Sequence, residues 1–336
     1  MGFSNLGDDA IRDAWDISLA GVKKVHLPTT RRQRIVGMGS FAALAIRNRH
    51  LVLGGGTMIG SPIWRKHLAL GLKICRKWPA VMLGVGADDP RFSEHGFNAQ
   101  EARTELHKWR ELIEKYFESV TVRGPRTQQV LSEVGIASRV VGDPALLLEP
   151  SRTMRPPEYV GFNVGSFGPS QIAAGLIHRS FIDHVIPFAS SVAPIRLFVM
   201  SPADLPAASC IMGEVRARHD LWVELVFPRS ASEFLEEVAS CKAIVAERLH
   251  ATVLAAAAGV PALALRYRGK VQDFQDSIGR GRYTTDCNDA EEMVSLLSEL
   301  LAEPELHRKD VQTSVALRRE CLHAESMRIR SLLEGR

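Results

Sequence analysis

Three ionisable side chains, Glu247, Arg248 and His250, fall between the apolar run Ile244-Val245-Ala246 and an alanine-rich stretch with helical character. Burying three such groups without partners is costly, so the segment points to internal ion pairs or to a bound ligand. An imidazole there titrates near neutrality and can give or take a proton. After Pro261 and a second apolar run ending at Leu265 comes Arg266-Tyr267-Arg268-Gly269-Lys270. In a parallel sheet consecutive strand ends adjoin, so Lys270 and His250 are expected to share one edge. A lone histidine is more often a satisfied core or surface residue; here Arg248, the helix start and the basic loop shift the balance toward chemistry. Glu247 reads equally well as the partner that orients Arg248.

Four further patterns carry weaker chemistry. Val120-Thr121-Val122-Arg123-Gly124-Pro125 puts an arginine at the end of an apolar strand, where its fork of donors suits a carboxylate or phosphate, or where it merely neutralises a loop. The turn Gly142-Asp143-Pro144 ends the next run and offers Asp143 to a hydroxyl or simply shapes the turn. Leu51-Val52-Leu53-Gly54-Gly55-Gly56 is a strand followed at once by three glycines, so the main chain can approach a ligand closely, though the spacing is neither that of a dinucleotide fingerprint nor that of a P-loop. Near the start, Asn5-Leu6-Gly7-Asp8-Asp9 runs into a helix bearing Ile11, Ala14, Trp15 and Ile17. Its N–H groups can meet a phosphate and Asp8 or Asp9 a hydroxyl, or Asn5 or Asp8 caps the helix.

Short apolar runs alternating with longer helical patterns must position these residues, which is the mark of βαβ units and parallel sheets. Strands are expected at 24–27, 50–53, 80–85, 119–122, 139–141, 159–164, 196–200, 222–227, 242–245 and 262–265, with helices over 99–117 and 289–302. The chain has 336 residues, 46% of them apolar and 24% charged, enough for two globular domains. The proline-rich stretch Glu149 to Pro157 reads as the linker, giving an N-terminal domain over 1–150, a second over 151–305 and a C-terminal helix over 306–336 that crosses back to the first. With 42 basic and 38 acidic residues the net charge of +4 argues against a nucleic-acid partner. The five cysteines lack metal spacing, and neither a metal nor a cofactor is expected.

Taken in order, Asn-x-Gly-Asp at 5–8, the glycines at 54–56, Val-Arg at 122–123, Asp-Pro-Ala at 143–145, Arg-x-His at 248–250 and Tyr-x-x-Lys at 267–270 resemble the polysaccharide pyruvyl transferase family over nearly the whole chain. The resemblance implies two Rossmann-like domains facing a central cleft, as in B-type glycosyltransferases, with phosphoenolpyruvate as donor and a carbohydrate acceptor in cell-surface polysaccharide assembly. It places Arg123, His250 and Lys270 on the family's functional positions; Arg248 is added on charge grounds. Family members typically open on an apolar strand before the Asn-x-Gly-Asp turn, and this sequence begins at that turn, so the first strand is expected to be missing. Where the family often has Arg-Asp, this chain has Arg123-Gly124, without the carboxylate.

The expected mechanism has protonated His250 giving a proton to the methylene carbon of phosphoenolpyruvate, with Arg123, Arg248 and Lys270 clamping the donor's charges. Asp8 or Asp143 attends the acceptor hydroxyls, while Asn5 and Gly54, Gly55 and Gly56 line the substrate. A nucleotide-sugar glycosyltransferase and a non-catalytic anion-binding scaffold are the competing readings. The opening residues lack the basic and then apolar pattern of a secretory leader, so a cytoplasmic location is expected. The apolar stretch 249–265 is too short and interrupted to span a bilayer. Leu306 to Leu333 carries Arg318, Arg319, Arg328 and Arg330 among leucines, which reads as a solvated basic face on a packed helix or, less simply, as a contact with the inner membrane face, where a lipid-linked acceptor would be met.

Overall fold

The computed structural model describes residues 5–22, 50–75, 79–89, 98–151, 156–165, 179, 181–266 and 269–334. They form two compact α/β units, one of Met1–Ala14 with Ala145–Arg319, the other of Trp15–Pro144 with Glu320–Arg336. Helix α1 (Leu6–Ser18) divides between them.

The second of these, the glycine-turn unit, is built from short parallel strands. β1 (Val52–Gly54) pairs with β3 (Val81–Leu83), β2 (Thr57–Ile59) with β4 (Gly86–Ala87), and β5 (Thr121–Val122) with β6 (Arg139–Val140). Hydrogen bonds from Val85 N–H to Thr121 O and from Arg123 N–H to Val85 O join the segment after β3 to β5. Helices α2 (Pro62–Ile74), α3 (Ala99–Tyr116) and α4 (Pro125–Glu133) lie between these strands in the chain. Proline at the first position of α2 and α4 suits a helix start, where its missing N–H is not needed. Asn98 starts α3 in a capping box with Glu101. Trp109, fully buried on α3, donates its indole N–H to Ser61 O at 3.2 Å and anchors that helix in the core.

The six-stranded unit carries β7 (Tyr159–Asn163), β8 (Ile195–Phe198), β9 (Val223–Val226), β10 (Cys241–Ala246), β11 (Ala262–Leu265) and β12 (Thr284–Thr285). All pair in parallel, in the order β12-β11-β10-β7-β8-β9. A π-helical turn, Phe181–Val185, leads into α5 (Ile186–Ser190); α6 (Leu205–His219), α7 (Ala231–Val238), α8 (Leu249–Ala257), α9 (Gly269–Ser277) and α10 (Ala290–Ala302) follow in turn. Helices on both faces explain why β11 and, apart from Arg196, β8 are apolar rather than alternating; every residue in both strands is buried, Arg196 included. The long apolar stretch at 249–265 resolves into α8, an interior helix whose alanines permit close packing, and β11.

The last helix, α11 (Pro304–Glu334), directs its arginines inward. Arg318 donates to Ser277 O, Arg319 to the carbonyls of Leu146, Leu148 and Ala257, Arg328 to Glu325 and Ser119, and Arg330 to Ser18 O. These four arginines therefore act in packing, which corrects the expectation of a solvated basic face there and removes them as the basis for the alternative membrane contact. No helix among the described residues is long and apolar enough to cross a membrane.

The expected strands match observed ones to within a few residues, except 24–27, which lies outside the described residues. Three strands, β2, β4 and β12, escape the sequence because two or three residues carry no periodicity of their own. The division of the chain also differs from a linear cut near 150, since residues 5–14 join the six-stranded unit.

Candidate active site

In the six-stranded sheet the chain moves from β7 outward to β8 and β9, then returns to β10 on the other side of β7 and continues to β11 and β12. Loops leaving β7 and β10 therefore diverge, and the crevice at their carboxyl ends is where open α/β sheets take ligands. Asn163, fully buried at the end of β7, accepts the Arg248 N–H on Oδ1 at 3.1 Å and donates from Nδ2 to Phe198 O at 3.0 Å. Glu247 N–H donates to Asn163 O at 3.0 Å, and the Glu247 carboxylate accepts the Gly165 N–H at 2.7 Å. Burial pushes the Glu247 carboxyl up to about 7, against the opposing pull of the Gly165 N–H and of Arg248, with Asp204 adding to the rise.

Arg248 is buried and precedes α8; its Nε donates to Asp204 Oδ2 at 2.6 Å and its Nη2 to Asp204 Oδ1. Asp204 is fully buried, in a single helical turn that follows β8 and is capped by Ser201. The fork read from sequence as a donor clamp thus makes a bidentate pair with an internal carboxylate. Such a pair holds the start of α8, and with it His250 in that helix's first turn.

His250 is half-buried and meets α1 directly. Leu6 N–H donates to Met200 O at 3.1 Å, which docks the start of α1 beyond β8. Asn5 Oδ1 accepts the Gly7 N–H at 3.0 Å, so Asn5 caps the helix, and its Nδ2 reaches Asp8 Oδ2 at 3.4 Å. A side chain at Gly7 would place its Cβ 2.2 Å from His250 Nδ1 and 2.6 Å from Cγ. Glycine is needed there for contact with the imidazole. Asp8 is exposed, whereas Asp9 is buried and pairs with Arg12 at 2.9 Å. Lys270 is half-buried in the first turn of α9, after β11, which pairs with β10 from Ile244↔Ala262 to Ala246↔Ala264. The structure thus gathers Asn5, Asp8, Arg248, His250 and Lys270 in one unit, on segments that start at or dock against the carboxyl ends of its strands.

Gly54, Gly55, Gly56, Arg123 and Asp143 belong to the glycine-turn unit, Gly54 as the last residue of β1 and the others beyond strand ends. A Cβ at Gly54 would fall 1.9 Å from Trp15 Nε1, and Gly55 and Gly56 have φ of 70° and 69°, so the triple glycine answers both to close packing and to left-handed backbone. Arg123 and Asp143 are fully buried. The Arg123 guanidinium lies against Gly86, where a Cβ would meet Nη2 at 2.6 Å, and its Nη2 donates to Thr57 Oγ1 at 3.4 Å. This excludes the reading of Arg123 as a surface charge.

Sequence reasoning missed Asn163 and Asp204. The first carries a signal, a polar residue ending the apolar run of β7; the second stands 44 positions from the arginine it binds and has none.

Comparison with known proteins agrees with this architecture. The chain is similar to a Listeria monocytogenes structure described as a UDP-N-acetylglucosamine 2-epimerase, at 14% identity and TM-score 0.56, covering 93% of this chain and 82% of that one. It is similar also to Anabaena Alr3699/HepE in complex with UDP and glucose, at 10% identity and TM-score 0.53, covering 93% and 84%. Against S. aureus TarM it covers 75% of this chain and spans about half, 54%, of that one, at 11% identity and TM-score 0.48. The likenesses to the Listeria and Anabaena structures show a fold of two Rossmann-like units. No curated protein matches the chain. A sequence model of polysaccharide pyruvyl transferases matches residues 5–269, which include the Asn-x-Gly-Asp turn, Arg123 and the Arg-x-His motif and stop one residue short of Lys270. The chain is a transferase and belongs to the polysaccharide pyruvyl transferase family.

Proposed function

We propose that the protein transfers the enolpyruvyl unit of phosphoenolpyruvate to two hydroxyls of a sugar in a cell-surface polysaccharide or its precursor, forming a cyclic pyruvate ketal and releasing phosphate. The observation that carries this reading is the seat of His250, in the first turn of α8 beside the strand-order reversal and pressed against Gly7 of the Asn-x-Gly-Asp turn.

In this reaction the His250 imidazolium gives its proton to the methylene carbon of the donor, and the adjacent carbon takes on oxocarbenium character. One sugar hydroxyl adds to that carbon and loses its proton; the bond to the phosphate oxygen then breaks, and the second hydroxyl adds with loss of its proton to close the ketal. Asp8 or Asp143 receives a hydroxyl proton. Lys270 neutralises donor charge, and Arg123 offers its fork to a carboxylate or phosphate. The Arg248–Asp204 pair positions His250 rather than gripping the donor, and Asn5 acts through the cap it places on α1. The glycines at 54–56 admit substrate to the main chain. The location proposed is cytoplasmic, and an acceptor carried on a lipid would bring the reaction to the inner membrane face.

Thermal unfolding with phosphoenolpyruvate, with UDP-sugars and with phosphate tests the donor. A ligand at 100 times its dissociation constant adds about 2.7 kcal/mol of stability. The expected result is stabilisation selective for phosphoenolpyruvate and lost in Lys270→Ala. In the companion transfer assay, His250→Ala should lower turnover roughly 100- to 10,000-fold while the donor still binds. Stabilisation by UDP-sugars alone would overturn the donor assignment in favour of a glycosyltransferase.

A further inference from the structure

Helix α2 has a face that the proposed reaction does not use. From Pro62 to Trp78 the sequence carries Arg65, Lys66, Lys73, Arg76 and Lys77 and no acidic residue, and tryptophans stand near both ends, at 64 and 78. Leu68, Gly71 and Leu72 turn into the core, and Arg65 is held by Glu105 through Nε at 2.5 Å. The opposite face repeats at helical spacing through Ile63, Lys66, Leu70 and Lys73, with Trp64 beside it. Ile63 is 63% exposed and Trp64 36%, and both lysines are exposed.

Solvation accounts for the lysines but not for an exposed isoleucine and tryptophan side by side at the helix start. An aromatic and an aliphatic side chain flanked by cations, on a helix without any anion, match a bilayer surface whose headgroups carry negative charge. The arginines of α11, the other basic candidate, are engaged with the protein's own carbonyls and carboxylates. We propose that α2 docks the protein on an anionic membrane surface, with Ile63 and Trp64 entering the headgroup boundary and Lys66 and Lys73 meeting lipid phosphates. The proposal stands apart from the pyruvyl-transfer reading, because docking is measured with neither donor nor acceptor present.

The test is co-sedimentation of the full chain with vesicles of phosphatidylglycerol and phosphatidylcholine, and with phosphatidylcholine alone, at low and high salt. Binding is expected only to the anionic vesicles and should weaken with salt. Lys66→Ala and Lys73→Ala should each lower partitioning about fivefold. The double change Ile63→Ala, Trp64→Ala should lower it at least about tenfold. These residues are exposed, so unfolding temperatures should be unchanged, and the lysine variants provide an independent arm if the apolar pair disturbs folding. No binding to anionic vesicles, equal binding to both compositions, or binding that persists in all the variants would overturn the proposal.

Discussion

Gly7→Ala adds one methyl group where the imidazole of His250 already stands. The new carbon would lie 2.2 Å from Nδ1, 2.6 Å from Cγ and 2.9 Å from Cβ. Non-bonded heavy atoms rest about 3.5 Å apart or more, so the ring must retreat by something over about 1 Å. A misplacement of about 1 Å in a reacting group costs roughly 100-fold in rate. The effect on folding is smaller, because overpacking costs roughly 1–3 kcal/mol while alanine in a helix gains roughly 0.5–1 kcal/mol over glycine. Turnover, followed as phosphate release from phosphoenolpyruvate with acceptor, should therefore fall about 100-fold, with the thermal shift induced by the donor retained. In a His250→Ala background the two nearest atoms are gone and only the 2.9 Å approach to Cβ remains, so Gly7→Ala should then cost less stability than in the wild type and cause no further loss of turnover. Wild-type turnover in Gly7→Ala, or an equal stability cost in both backgrounds, would refute the contact and the placement of His250 built on it.

Glu247 predicts a pH dependence. Its folded pKa of about 7 lies above the ordinary 4.5, so the folded state holds the proton more tightly; this contribution to stability is full below about pH 4.5 and is lost as pH rises through 7. The loss is of order 3 kcal/mol. Glu247→Gln cannot ionise, so its unfolding temperature should gain on the wild type between pH 5 and pH 9; parallel curves would show that the carboxyl is not buried as described. Asp204→Ala leaves the buried Arg248 charge without its carboxylate and should cost about 3–5 kcal/mol in urea unfolding. An unchanged midpoint would mean that the pair does not hold α8. Gly86→Ala would set a carbon 2.6 Å from Arg123 Nη2, so phosphoenolpyruvate should stabilise this variant less than the wild type; an equal shift would remove Arg123 from donor binding.

Strand positions were legible in the sequence because strands covered on both faces are continuous apolar runs, as Ala262–Leu265 and Val81–Leu83 illustrate, and glycine turns and helix starts punctuate them. So was the unusual character of Glu247-Arg248-Leu249-His250, since charges amid apolar flanks require a reason. Their partners were not. Arg248 reads as a free fork until packing brings Asp204 from 44 positions away and Asn163 from 85. Gly7 reads as a turn glycine until α1 docks beyond β8 and its backbone meets an imidazole 243 positions later. Arg318 to Arg330 read as a basic surface until α11 turns them onto backbone carbonyls and a few side chains. Burial and backbone preference are local properties that each residue type declares, whereas the partner that satisfies a buried charge is chosen by strand order and helix packing, which exist only in the assembled tertiary structure.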